Sequence, residues 1–148
     1  MGQLDRFRSP SCELCRVDGG VLVTRTAALR VIRVQDPDYP GFYRVVWNDH
    51  QCEFSQLNRF ERAMLMDAVV TVEQLLMRHL QPRKINLASL GNVVPHLHWH
   101  IIARYTHDRH YPQPIWAPAQ RDSKAGQWQP VIDLLPSLDE AIDSALSD

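Results

Sequence analysis

Three histidines alternate with large apolar residues in a stretch that is rich in strand-forming side chains. They are His96, His98 and His100, within residues 94–104. In an extended strand, successive side chains point to opposite faces, and every second residue lies about 7 Å further along. The three imidazoles therefore share one face. The residues expected to share the other face and to point into a core are Leu97, Trp99 and Ile101.

The alternating histidines allow three interpretations. They could form a solvated sheet edge, or a three-histidine metal site, since neutral imidazole is a common zinc ligand. They could also form a nucleophilic centre, in which one imidazole attacks phosphorus while a neighbour donates a hydrogen bond to the developing charge. Gly91 and Asn92 precede the cluster. Because a glycine lets the backbone approach a ligand and an amide can donate to a phosphate oxygen, this pair favours phosphate chemistry.

The remaining sequence predicts an α+β fold. Asn58 and Glu61 form a capping-box pattern, and apolar residues then recur at helical spacing up to Leu80, so we expect a long helix that ends before Pro82. Ser137 is expected to cap a closing helix, after an irregular proline-rich segment. Strands are expected at residues 21–24, 28–34, 42–47, 84–90 and 97–103. The prediction is an antiparallel sheet of about five strands packed by one long helix.

Length, charge and cysteine content restrict the class of protein. The chain has 148 residues, of which 45% are hydrophobic, so a single domain over residues 1–148 is expected. A formal net charge of -1 with interspersed signs offers no basic surface for a nucleic-acid duplex. No segment approaches the roughly 18 apolar residues that span a membrane, and residues 1–10 do not resemble an export signal. Three cysteines, two of them in Cys12-Glu13-Leu14-Cys15, indicate thiol or metal chemistry in a reducing cytoplasm.

The histidine segment, His96-Leu97-His98-Trp99-His100-Ile101-Ile102, closely resembles the motif of the histidine triad (HIT) family. The order of the cysteine pair, the strands, the long helix and the histidine segment also agrees with that family, over about residues 12–116. The resemblance implies a HIT-like α+β fold with its core in those residues, and usually a homodimer whose two sheets join. Residues 117–148 are then expected to be an irregular C-terminal extension with a short helix.

The resemblance also implies roles for individual residues. His98 would be the nucleophile that takes up a nucleotidyl group, with its other ring nitrogen donating to a backbone carbonyl to fix the tautomer. His100 would hydrogen-bond a phosphate oxygen and assist the leaving group, and Asn92 would contact the α-phosphate. Asp36 falls near the acidic residue that holds the ribose hydroxyls in the family, although it is also an ordinary turn residue before a proline. Two further candidate contacts to the nucleotide, each with a purely structural alternative, are Asn86 and Trp116.

A structural zinc site is a second implication of the resemblance. The spacing of Cys12 and Cys15 suits tetrahedral zinc. Some HIT proteins and the related galactose-1-phosphate uridylyltransferases complete such a site with two histidines, which here would be His50 and His96. The alternative is that these are ordinary buried or turn residues, and Cys52 could compete as a ligand.

The implied activity is hydrolysis at the α-phosphate of a nucleotide. Candidate substrates are nucleoside phosphoramidates, dinucleoside polyphosphates and related adenylated compounds. A nucleotidyltransferase or phosphorylase would share the covalent step, but the related uridylyltransferases generally have glutamine in place of the third histidine and are longer. The remaining alternative is a non-catalytic module, stabilised by zinc, that only binds a nucleotide.

Overall fold

A computed structural model describes residues 8–147. Its strands are β1 (Val21–Arg25), β2 (Leu29–Arg33), β3 (Phe42–Trp47), β4 (Lys84–Ala88) and β5 (His98–Arg104). They form one antiparallel sheet in the order β1-β2-β3-β5-β4. This confirms the predicted α+β fold with a five-stranded sheet, including the antiparallel pairing of β4 with β5. Within the described residues, no helix is long and apolar enough to cross a membrane.

The long helix α2 (Arg59–Leu80) connects β3 to β4. It begins at the predicted capping box: the Asn58 side chain accepts hydrogen bonds from Phe60 N and Glu61 N, and the Glu61 side chain accepts one from Asn58 N. It ends at Gln81, whose φ of 48° lies in the left-handed region, directly before Pro82. The apolar stripe of α2 packs on one face of the sheet. The opposite face is therefore not covered by α2 and is available for a functional site. The buried residues of that stripe are Leu65, Ala68, Val69, Val72, Leu76 and Leu80.

Alternation along β5 sends its residues to two different environments. Leu97, just before the strand, and Ile101 lie in the main core between the sheet and the helices, as predicted, whereas Trp99 is only half-buried there. His98 and His100 point to the other face. That face is covered by two smaller apolar clusters around Ile32 and Ile102.

The C-terminal segment differs from the expectation in two respects. The closing helix α4 (Leu135–Leu146) begins at Leu135 rather than after Ser137, and it follows the single-turn helix α3 (Gln129–Ile132). Residues of this segment also belong to the main core: Trp128, Val131, Leu135, Leu138 and Ile142. Asp139 on α4 accepts a hydrogen bond from the Tyr43 hydroxyl, which ties the helix to β3. The single-domain organisation over residues 1–148 stays a prediction.

Candidate active site and metal centre

The three histidines are buried on the face of the sheet opposite α2. Their exposed fractions are 0% for His96, 7% for His98 and 5% for His100, which excludes the interpretation as a solvated edge. His96 precedes β5, and the other two lie within it. The side chains of His98 and His100 line a cavity of about 550 Å³, together with Arg44, Asn92 and Trp116. The rest of the lining is Glu13, Leu14, Gly19, Leu90, Gly91, Val93 and Val94.

One backbone contact fixes the tautomer of His98. Its Nδ1 lies 2.5 Å from the carbonyl oxygen of His96, so Nδ1 carries the proton and donates it to that oxygen. Nε2 is left with a free lone pair. Burial lowers the pKa of His98, and the charge of Arg44 lowers it further, against the opposing effect of the carbonyl contact. His98 is therefore neutral and has the protonation state of a nucleophile.

His100 has the opposite tautomer. The Nε of Arg44 donates a hydrogen bond to its Nδ1 over 3.2 Å, so the proton of the neutral ring is on Nε2. Burial is the main cause that lowers the pKa of His100 to about 3, and the proximity of His98 and the charge of Arg44 act in the same direction. The two rings meet edge to face with centroids 4.8 Å apart. The site thus combines a lone pair on one imidazole with a neutral N–H donor on the next.

Arg44 is a site residue that the sequence analysis missed. It lies on β3 directly opposite His100 in the strand register. Burial lowers the pKa of its guanidinium, which stacks on the Phe42 ring with a centroid distance of 5.3 Å. The available signal was an arginine within the otherwise apolar and aromatic run Phe42–Trp47. That signal becomes specific only when the pairing of β3 with β5 is known.

The structure brings some of the predicted nucleotide contacts to the cavity and leaves others outside. Asn92 lines it, following Gly91, whose φ of +82° is accessible mainly to glycine. Trp116 lines it as well, with its ring 5.2 Å from that of His100. Asp36 is not among the lining residues, and its carboxylate accepts a hydrogen bond from Asp38 N, as in an ordinary turn. Asn86 is also outside, with its Oδ1 accepting from Arg104. The roles of all four in binding stay predictions.

Four side chains beside the cavity form the group that the sequence predicts as a metal site. Cys12, Cys15, His50 and His96 each offer one ligand atom, and all four atoms lie within 4.8 Å of one another. The short helix α1 (Glu13–Arg16), which was not predicted, presents the two cysteines. Among the described residues, His96 is the only one of the three triad histidines that belongs to a possible metal-binding group. The structure therefore does not support a metal site built from His96, His98 and His100 together.

The distances in this group fit a tetrahedral metal ion. The Sγ of Cys12 lies 3.3 Å from His96 Nδ1, and the Sγ of Cys15 lies 3.4 Å from His50 Nδ1 and 3.5 Å from His96 Nδ1. Tetrahedral zinc requires sulfur and nitrogen ligands about 3.6 Å apart. His96 Nε2 donates to the carbonyl oxygen of Trp47 over 2.6 Å, which leaves Nδ1 free to coordinate. Cys52 is exposed and lies on the other side of His50, with its sulfur 3.8 Å from Nε2.

The HIT domain model matches residues 18–107, which include the whole sheet and the three histidines. The chain belongs to the HIT family. Members of this family are generally nucleotide-binding hydrolases or transferases, and some are non-catalytic. Two of the four candidate metal ligands, Cys12 and Cys15, lie outside the matched part of this HIT protein. The cavity residues Glu13, Leu14 and Trp116 also lie outside it.

Several solved structures resemble this HIT protein. A histidine triad protein from Bradyrhizobium japonicum is 28% identical, with a TM-score of 0.70 over 84% of this chain and 92% of that one. A histidine triad protein from Marinobacter aquaeolei is 25% identical, with a TM-score of 0.66 over the same shares. A hypothetical histidine triad nucleotide-binding protein from Sulfolobus tokodaii, 19% identical over 83% of each chain with a TM-score of 0.57, shares the fold. No curated protein matches the sequence.

Next to the triad, this HIT protein contains a buried ion pair. An arginine at a strand end is commonly solvated, but Arg104 is only 2% exposed. Its Nε and Nη2 donate to the two carboxylate oxygens of Asp108 over 2.8 and 3.0 Å. Its remaining hydrogen bonds go to Asn86 Oδ1 and to the carbonyl oxygen of Gln113. Arg104 therefore holds Asp108 and the Gln113 carbonyl, in the segment that leads to Trp116.

Proposed function

We propose that this HIT protein hydrolyses a nucleotide at its α-phosphate through a covalent nucleotidyl-histidine intermediate on His98. The observation that carries the proposal is the tautomer of His98, whose Nδ1 is bound to the His96 carbonyl while Nε2 retains its lone pair beside the cavity. A solvated or purely structural histidine would not require this arrangement. The matched family, whose members are generally nucleotide-binding hydrolases or transferases, supports the same chemistry.

The reaction would proceed in two displacements. In the first, the Nε2 lone pair of His98 forms a bond to the α-phosphorus, the bond from phosphorus to the leaving group breaks, and the leaving group takes the electron pair. The Nδ1 proton stays on the ring, and the His96 carbonyl stabilises the positive charge that develops there. In the second, a water oxygen attacks phosphorus, the P–N bond breaks, and the water proton is released to solvent. His98 returns to its neutral state with the nucleoside monophosphate as product.

His100 would serve as a hydrogen-bond donor in both steps. Its Nε2 proton can bind a non-bridging phosphate oxygen or the departing atom, because its Nδ1 is engaged by Arg44. Preorganised donors of this kind typically contribute about 10²- to 10³-fold to the rate. Asn92 would bind the same phosphate, and Trp116 would contact the nucleotide. From the family resemblance, Asp36 would bind the ribose and Asn86 would contact the nucleotide.

We further propose that the metal is a structural Zn²⁺ held by Cys12, Cys15, His50 and His96. Two sulfur and two nitrogen ligands favour zinc, and four protein ligands leave no position for catalysis. When bound, the ion would tie α1 to the residues before β5, without taking part in the reaction. Free thiols are needed for binding, which favours a reducing compartment such as the cytoplasm. Adenosine as the base and a homodimer as the assembly are proposed from the family resemblance alone.

The test compares the protein with His98→Ala and with a control histidine variant, His79→Ala. His79 lies on α2, where its Nδ1 contacts the Leu75 carbonyl, and it is not among the cavity residues. Each protein is incubated with adenosine phosphoramidate and with diadenosine polyphosphates, and products and intact mass are followed. We expect turnover and an adenylyl adduct for the protein and for His79→Ala. His98→Ala should lose the adduct and about 10³-fold or more of the rate.

Three outcomes would redirect or contradict the proposal. A protein that binds nucleotide but turns over neither substrate would be a binding module. Transfer of the adenylyl group to added phosphate or sugar phosphate, in preference to water, would identify a transferase or phosphorylase. Turnover that persists in His98→Ala would exclude His98 as the nucleophile.

A further inference from the structure

Arg44 is the only cation among the described residues that line the cavity. Its Nε is committed to His100, but neither of its η nitrogens has a hydrogen-bond partner within residues 8–147. No carboxylate of these residues lies within 4 Å of its guanidinium. Contact with the Phe42 ring on one side limits the orientations of the group. The cavity therefore contains a positively charged guanidinium group with a restricted orientation and free N–H donors on its η nitrogens. A guanidinium in this state is suited to bind a phosphate.

Glu13 is the only carboxylate among the same lining residues, and it opposes anion binding in part. It is exposed and forms no ion pair with Arg44 among the described residues, although its charge favours the protonated form of the guanidinium. Solvent screens the exposed Glu13 carboxylate more than it screens the half-buried guanidinium of Arg44. The net effect is that Glu13 helps to keep Arg44 charged without occupying its donors.

The contact between Arg44 and His100 also limits the leaving groups that the site can release. A neutral imidazole whose Nδ1 is occupied can donate a hydrogen bond from Nε2, but it cannot transfer that proton fully without becoming an imidazolate. The low pKa of His100, about 3, agrees with this geometry. An amine leaving group has to be protonated before it departs, whereas a phosphate chain departs as a stable anion. The site is therefore suited to a leaving group that needs charge stabilisation rather than a proton.

We propose that Arg44 determines the substrate class of this site by binding the phosphate of the leaving group, so that phosphoanhydrides such as dinucleoside polyphosphates are preferred to phosphoramidates. The inference rests on the proposed nucleophilic function of His98. As His98 Nε2 forms its bond to the α-phosphorus, the bridging P–O bond breaks and its electron pair stays on the β-phosphate oxygen. The nucleoside polyphosphate leaves as an anion bound to the η nitrogens of Arg44. No proton transfer to the leaving group is required.

The experiment measures kcat/KM for a diadenosine polyphosphate and for adenosine phosphoramidate, and takes the ratio. Arg44→Gln is the informative variant, because the glutamine Nε2 occupies the position of the arginine Nε and can still donate to His100, while the charge and the η nitrogens are lost. We expect this ratio to fall by about 10- to 100-fold, the usual effect of losing a hydrogen bond to a charged group. Arg44→Lys keeps the charge and should therefore lower the ratio less than Arg44→Gln does. Arg78→Gln, at an exposed position on α2, is the control and should not change it.

The outcomes separate this inference from the function on which it rests. If an adduct on His98 forms with both substrates but the ratio is the same in Arg44→Gln and in the unmodified protein, the assignment of Arg44 is wrong and the proposed function stands. If no adduct forms with either substrate, the proposed function itself fails. A preference of the unmodified protein for the phosphoramidate overturns the inference whether or not the variants fold.

Discussion

Replacing Asp108 with asparagine should destabilise the protein strongly, because it leaves Arg104 buried without a counter-charge. Both side chains are almost inaccessible, with 2% of Arg104 and 0% of Asp108 exposed. The carboxylate also accepts hydrogen bonds from the backbone N–H groups of Tyr105, His110 and Tyr111. Asparagine has nearly the same shape and keeps one acceptor oxygen. The change therefore removes the charge and half of the acceptor capacity while leaving the packing intact.

The expected cost follows from the burial of the pair. Breaking a buried ion pair by removing one partner typically costs about 3–5 kcal/mol, and the retained oxygen places Asp108→Asn near the lower limit, at about 3 kcal/mol. For a protein of this size, that free energy corresponds to a fall in Tm of about 6–12 °C. This cost is also a large part of the free energy of unfolding of a typical domain, which is roughly 5–15 kcal/mol. Urea denaturation at neutral pH and fixed metal content measures the difference directly.

The variant Arg104→Met, alone and combined with Asp108→Asn, completes a double-mutant cycle. If the penalty of the single variant arises from an unpaired charge, the double variant should be less destabilised than the sum of the two single variants. A cost below about 1 kcal/mol for Asp108→Asn would refute the reasoning, since that is the value of an exposed pair. Additive costs would indicate that the two residues act independently.

The same carboxylate predicts a dependence on pH. Burial by itself raises the pKa of Asp108, but the hydrogen bonds from Arg104 and from the backbone outweigh burial, and the net shift is downward. A lowered pKa means that the stabilisation is fully present above the pKa of the unfolded state, about 3.9, and is lost as the pH falls through the lower pKa of the folded state. The difference in stability between the protein and Asp108→Asn should therefore be constant near neutral pH and shrink in acid. A difference that grows on acidification would contradict the assigned direction.

Two further predictions concern the metal group and the long helix. A zinc chelator should lower the Tm of the protein. The lost free energy of unfolding is about 4 kcal/mol if zinc was present at 1,000 times its Kd. Cys15→Ser should be less stable than the unmodified protein, and its Tm should not respond to the chelator. Cys52→Ser, outside the ligand group, should keep the full response, and a Tm that no chelator changes would count against the metal. Asn58→Ala should cost about 1 kcal/mol in urea denaturation, because two N–H groups at the start of α2 lose their acceptor; a cost near zero would mean that water replaces the cap fully.

Local sequence patterns were sufficient wherever the physical cause is itself local. The alternation around His98 predicts a strand with two different faces, and Asn58 with Glu61 predicts the first residue of α2, because both patterns depend on near neighbours along the chain. The N-cap of α4 was predicted three residues too late, at Ser137 instead of Leu134. Ser137 is a good capping residue by type, but the helix begins at Leu135, whose buried side chain packs into the main core. Tertiary packing there outweighs the preference for a polar cap.

Contacts between distant segments could not be predicted in the same way. Arg44 and His100 are 56 residues apart and meet only because β3 pairs with β5 in one particular register. A shift by one residue would send Arg44 to the opposite face. The burial of Arg104 likewise depends on Asp108 in the following turn. In both cases the residue type was visible in the sequence and its partner was not.

The partners also explain how one strand motif yields three different chemical groups. His96 donates from Nε2 to the Trp47 carbonyl and so presents Nδ1 to the metal group, whereas His98 donates from Nδ1 to the His96 carbonyl and keeps its lone pair on Nε2. His100 accepts from Arg44 at Nδ1 and so carries its proton on Nε2. Identical side chains on one face therefore present different ring nitrogens, as the proposed ligand, nucleophile and donor require. Two of the three tautomers are fixed by backbone carbonyls, which side-chain substitution leaves in place. Only the third depends on a side chain, so Arg44 is the position at which substitution can change the chemistry of the triad without changing the triad itself.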